Sequence, residues 1–182
     1  MPKARGVPYT PRVDIRGASA LVTGAGRGIG RAIALALARA GARVTAVSRT
    51  ARDLEALAAE IRSTGGQALA HAGDLREPAV CTGAVAAAVT AHGGLQILVN
   101  NAGVGASSTI LDTSDADWDR ILATNLTAVF RLTRAALPHL VQRGGHVFMI
   151  SSLAGRNPIA GMAAYCASKA ALDHLSACLM LE

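Results

Sequence analysis

The sequence predicts an α/β domain of three layers, α/β/α, around a doubly wound parallel sheet. Two observations carry that prediction. From Gly17 onward short apolar runs alternate with longer alanine-rich segments of helical period, the rhythm of strands joined by crossover helices. A glycine-rich segment, TGAGRGIG at 23–30, also leaves the first apolar run and opens the first helical pattern. The chain has 182 residues, of which 51% are hydrophobic and 16% charged. That is the size and composition of one folded domain with its own core.

Taken in order, strands are expected near 18–23 (ASALVT), 43–48 (RVTAVS), 67–72 (QALAHA), 95–100 (LQILVN) and 146–151 (HVFMIS). Helices are expected near 28–40, 51–64, 77–92, 115–139 and 162–182. LQILVN and HVFMIS are almost uninterrupted apolar runs, as parallel strands covered on both faces should be. Residues 1–16, rich in proline and basic residues and without an apolar stretch, read as a flexible extension rather than a signal peptide. Residues 17–182 form the domain, with no repeat, linker or second unit. The two longest stretches without a pattern, 101–114 and 152–161, follow the fourth and fifth strands, where open α/β sheets bind ligands.

Charge and composition exclude several classes. The formal charge is +6 with a pI near 10.0, yet the arginines are scattered singly and aromatics are only 3%, so nucleic acid is not expected as a partner. Cys81, Cys166 and Cys178 fit neither a disulfide framework nor a zinc site, which points to a reducing, cytoplasmic setting. The five histidines lack metal-ligand spacing, so no metal is assigned. No apolar run is long enough to span a membrane.

The loop of Thr23, Gly24, Gly26, Arg27, Gly28, Ile29 and Gly30 lies between a buried strand and a helix, which is the setting of a phosphate-binding turn. Glycines let the backbone approach a pyrophosphate, whose charge then rests among the unpaired N–H groups of the helix N-terminus. Many NAD sites place an acid at the end of the second strand to hold the ribose 2′-hydroxyl. This chain has Ser48 and Arg49 there. Arg49, helped by Arg27, suits a 2′-phosphate, so NADP(H) is expected in preference to NAD(H). Tyr165 and Lys169 lie four apart at the start of a helix and share a face, where an ammonium favours the phenolate and makes the pair a plausible acid and base.

With those residues the chain resembles the short-chain dehydrogenase/reductases. Residues 23–30 match the family's TGxxxGxG loop, and Asp74-Leu75 resembles the pair that contacts adenine. Asn100-Asn101-Ala102-Gly103 resembles the NNAG motif, Asn125 falls on the helix asparagine, Ser152 on the serine thirteen residues before the tyrosine, and Tyr165 to Lys169 on YxxxK. The resemblance implies a Rossmann-like fold and hydride transfer between a nicotinamide and a small carbonyl or alcohol substrate. It gives Tyr165 the proton transfer and Ser152 the substrate oxygen. Lys169 lowers the tyrosine pKa and holds the nicotinamide ribose, and Asn125 anchors a proton-relaying water. It also implies a homo-oligomer, dimer or tetramer, paired through the helices that start near 115 and 162. Family members continue beyond the helix in which Glu182 lies, with further strands and a substrate-covering segment; without those strands the fifth strand is expected to be an exposed apolar edge. A catalytically weak nucleotide-binding remnant acting through dimerisation is therefore the alternative expectation.

Overall fold

The computed structural model describes residues 14–182, so the first thirteen residues of the extension expected over 1–16 lie outside the described residues. Five strands form one all-parallel sheet in the order β3-β2-β1-β4-β5. They are β1 (Ser19–Thr23), β2 (Arg43–Ser48), β3 (Gln67–Ala72), β4 (Ile97–Asn100) and β5 (His146–Met149). The chain winds outward from β1 to β3, then returns to β1's other side with β4, so the strand order reverses between β1 and β4. A crevice at such a reversal is where doubly wound sheets take ligands.

The layers follow from which residues each strand turns to each face. Ala20, Val22, Val44 and Ala46 pack with Ala34 of α1 (Gly28–Arg39) and with Leu54, Leu57 and Ile61 of α2 (Ala51–Ser63). Leu21, Val47 and Leu98 pack on the opposite face. There they meet Cys81, Ala84 and Ala88 of α3 (Pro78–His92) and Leu132, Ala136 and Leu140 of α5 (Ala128–Arg143). Small alanines at the contact positions of α1 and α3 let these helices sit close to the sheet. Ile15 packs against the first of these clusters, so the core begins two residues before Gly17.

Three sequence expectations change. The helix expected over 115–139 is α4 (Asp115–Leu122), a π-helical turn (Ala123–Thr127) and α5, which runs to Arg143 despite Pro138 within it. Gly144, at φ 59°, caps it in the left-handed conformation, so the glycine and not the proline sets its end. HVFMIS is also not covered on both faces. It pairs only with β4 at the sheet edge, and Phe148 is 48% exposed, whereas every residue of β4 is buried. The last helix, α6 (Ala163–Leu179), stops short of the expected 182 and packs on α4 and the π turn. Among the described residues no helix is long and apolar enough to cross a membrane.

Candidate active site

At the strand reversal two loops are tied to one another. Thr23, the last residue of β1, donates its hydroxyl to the Val99 carbonyl at 3.2 Å and accepts the N–H groups of Asn101 and Ala102 at 2.9 and 3.0 Å. The Asn101 amide in turn donates to the carbonyls of Thr23 and Gly24 at 2.9 and 3.4 Å. The loop after β4 is therefore pinned to the glycine loop by one side chain from each. Two glycines are required by this closeness. Gly24 has φ +64°, and a Cβ there would lie 2.8 Å from Asn101 Nδ2; a Cβ on Gly30 would strike the Gly24 carbonyl.

The glycine loop fits a dinucleotide on two counts. Gly28, Ile29 and Gly30 begin α1, whose first turn carries no acidic side chain, so its N–H groups face outward without a competing carboxylate. Arg27 at the N-cap and Arg49 after β2 are exposed and form no ion pair among the described residues. Between them the Ser48 hydroxyl is buried without a hydrogen-bond partner and lies 3.0 Å from where a Gly26 Cβ would be. An acid that the motifs do not mark also faces this loop. Asp53, in the first turn of α2, places its Oδ2 3.6 Å from that same point.

Asp74, expected at the adenine end, is tied within its own turn. Its carboxylate is held by Arg76 through the backbone N–H at 3.0 Å and through Nε and Nη2, the latter at 2.6 Å. Arg76 thereby holds the Asp74 pKa below the ordinary carboxylate value. Arg131 of α5 donates to the Arg76 carbonyl at 2.9 Å and steadies the turn from behind. Leu75 beside it is buried in the core on the α3 side.

The remaining residues gather around loop 101–105. A Cβ on Gly103 would lie 3.4 Å from Asn125 Oδ1 and 3.7 Å from Lys169 Nζ, and one on Gly105 would lie 3.5 Å from Tyr165 Cδ2. Lys169 Nζ lies 5.8 Å from the centre of the Tyr165 ring. It donates to the Ile150 carbonyl at 2.8 Å, two residues before Ser152. Burial pulls the Lys169 pKa below its ordinary value, with the Asp173 charge opposing. Ser152 accepts the Ala154 N–H at 3.2 Å and starts the 3-10 turn Leu153–Gly155, which is pressed against the Lys169 backbone. Asn125 is fully buried in the π turn, and its amide is spent on Val104 and Ser168. A widened turn of this kind inside a helix re-aims one residue, a device common at functional sites. Ser168, Arg76 and Asp53 are the polar residues that motif reading passes over; only Ser168, inside YxxxK, lies within a motif.

The short chain dehydrogenase family profile matches residues 18–182. Over 169 residues the chain is 40% identical to a 2,5-dichloro-2,5-cyclohexadiene-1,4-diol dehydrogenase of Sphingobium indicum, covering 92% of this chain and 68% of that one. It is also 40% identical to the D-erythrulose reductase of Gallus gallus, covering 94% of this chain and 68% of that protein. Among solved structures, a metagenomic short-chain oxidoreductase in complex with NADP superposes with a TM-score of 0.87 at 42% identity, covering 92% of this chain and 76% of that one. One from Burkholderia phymatum in complex with NAD gives 0.90 at 29% identity, covering 92% and 60%. The chain thus spans about two thirds of the length of these curated relatives.

Proposed function

The chain belongs to the short-chain dehydrogenase family, and on that premise we propose that it interconverts a carbonyl and an alcohol with NADP(H) as the preferred cofactor. The observation that carries this reading is the convergence of Asn125, Tyr165 and Lys169 on loop 103–105, which Asn101 joins directly to the glycine loop. Bound in that cradle, the dinucleotide supplies the hydride chemistry. The glycine loop and the start of α1 receive the pyrophosphate, Ser48, Arg49 and Arg27 the 2′-phosphate, and Asp74 with Leu75 the adenine end. Ala102 and Gly103 give the nicotinamide side a wall without bulk.

Tyr165 gives or takes the proton of the substrate hydroxyl, and Ser152 hydrogen-bonds the substrate oxygen as its charge changes. The Lys169 ammonium near the phenol favours its ionised form and reaches the cofactor ribose. Asn125 holds loop 103–105 in place beneath them, and a water at that residue would carry protons to bulk. Trp118 and Phe130, 41% and 45% exposed on α4 and α5, are contacts for a second copy of the chain in a homo-oligomer. The reduced cysteines suit a cytoplasmic setting.

The test is purified protein with NADPH or NADH and a panel of ketones, followed by loss of the reduced cofactor's absorbance. Turnover with a lower KM for NADPH is expected. Arg27→Ala and Arg49→Ala should each weaken NADPH binding about tenfold while changing NADH binding little, since each removes a charged partner of the 2′-phosphate. Cofactor binding without turnover of any ketone would sink the enzyme reading and favour a nucleotide-binding remnant. Equal losses for NADPH and NADH would sink the 2′-phosphate assignment.

A further inference from the structure

Ser168 lies one residue before Lys169 and is completely buried. Its hydroxyl donates to the Tyr165 carbonyl at 2.7 Å and accepts an amide hydrogen of Asn125 at 3.0 Å. The other amide hydrogen goes to the Val104 carbonyl at 2.8 Å, and Asn125 Oδ1 accepts the Val104 N–H at 2.8 Å. One hydroxyl therefore ties α6, the π turn and the loop after β4 into a single network. The Tyr165 carbonyl is also the one that helical pairing sets against the Lys169 N–H, four residues on. Ser168 thus grips the backbone between phenol and ammonium. Val104 sits between Gly103, beside Lys169 Nζ, and Gly105, beside the Tyr165 ring.

A helical serine bonded to a carbonyl three residues back is commonplace and needs no role in the chemistry. That accounts for the donated bond alone. The accepted bond is different, because without the hydroxyl a buried Asn125 N–H has no partner, and such a group costs more than the bond itself. Asn125 lies 21 residues from Val104 and 43 from Ser168 in the chain, and this network bridges both separations.

We propose that Ser168 is a positioning residue, whose hydroxyl couples the Asn125 amide to the Tyr165 carbonyl and so holds phenol, ammonium and loop 103–105 in register for proton transfer. It touches neither substrate nor cofactor. The inference rests on the function proposed above.

The test compares Ser168→Ala and Ser168→Thr in the full chain. Ser168→Ala should lower kcat about tenfold and shift the pH profile of kcat, while the Kd for NADPH changes less than about threefold. Ser168→Thr, which keeps the hydroxyl, should recover both kcat and the profile. A folded Ser168→Ala with unchanged kcat and pH profile overturns the proposal, as does a Ser168→Thr variant damaged as badly. Hydrogen exchange at the Val104 N–H gives a readout without turnover: it should quicken in Ser168→Ala and stay protected in Ser168→Thr. A wild-type protein that binds NADPH but reduces nothing would end the functional reading. Val104 exchange would then still decide the coupling, and equal protection in both variants would refute it. Should Ser168→Ala fail to fold, Ser168→Cys, with its weaker hydrogen bonding, takes its place in each measurement.

Discussion

At the last position of α3, His92 is 6% exposed, and neither of its ring nitrogens has a hydrogen-bond partner among the described residues. Burial lowers its pKa below the ordinary 6.5, the Arg43 charge lowers it further, and the backbone at Ala91 and Val44 opposes in part. The folded state therefore holds the neutral ring, and the unfolded chain takes up the proton first as pH falls. Stability is complete above about pH 6.5 and is lost as pH drops from there through the folded pKa. Urea midpoints at about pH 7.5 and about pH 5.5 should fall apart in the wild type and lie closer together in His92→Leu. Equal pH sensitivity in both proteins would exclude His92 as the cause. The sequence lists His92 as one of five histidines, and only its burial beside β2 distinguishes it. Asp74 shows the same limit. Its place after β3 was legible, but the tie to Arg76 two residues on was not, because a loop conformation brings them together.

All five strands match their expected spans within two residues at each end, because apolar runs bounded by polar residues leave little freedom in an all-parallel sheet. The π turn at Ala123–Thr127 left no signal, since its residues keep ordinary helical composition and only packing against α6 distinguishes it. At the start of α1 sequence and packing agree. Gly30 must lack a Cβ because the Gly24 carbonyl and the Asn101 amide occupy that space. Gly30→Ala should therefore destabilise the protein by about 1–3 kcal/mol through overpacking. The shift would also push the glycine loop off Asn101, weakening NADPH binding. Thermal melts with and without NADPH check both effects, and an unchanged affinity would show that the loop gives way without moving the site.

For the whole molecule, the proposed cofactor site joins segments from β1, β2 and β4, so ligand binding should stabilise the entire domain and not one lobe. At a hundred times Kd, a ligand bound only by the folded state adds about 2.7 kcal/mol. For a chain of this size that corresponds to a rise in Tm of about 5–10 °C. Differential scanning with saturating NADPH should show one transition moved as a unit. A split transition would mean that the sheet's two halves unfold separately. The formal charge of +6 acts at this scale too, favouring approach of a polyanionic cofactor at low salt.

By itself the sequence determined the alternating order of strands and helices, the glycine loop at 23–30 and the positions of the residues that could do chemistry, because each is written in local spacing or in a contiguous motif. The tertiary structure alone decided that Asn101 bonds a loop 78 residues away, that Asn125 faces Val104 from a widened turn, and that Ser168 closes the network to Tyr165. It also decided how much of β5 is covered: Phe148 is 48% exposed, although the apolar run resembles that of fully buried β4. The physical reason is common to all of these. Periodicity reports which face of an element is apolar, whereas hydrogen bonds between distant segments and the covering of a strand depend on which elements the fold brings alongside it.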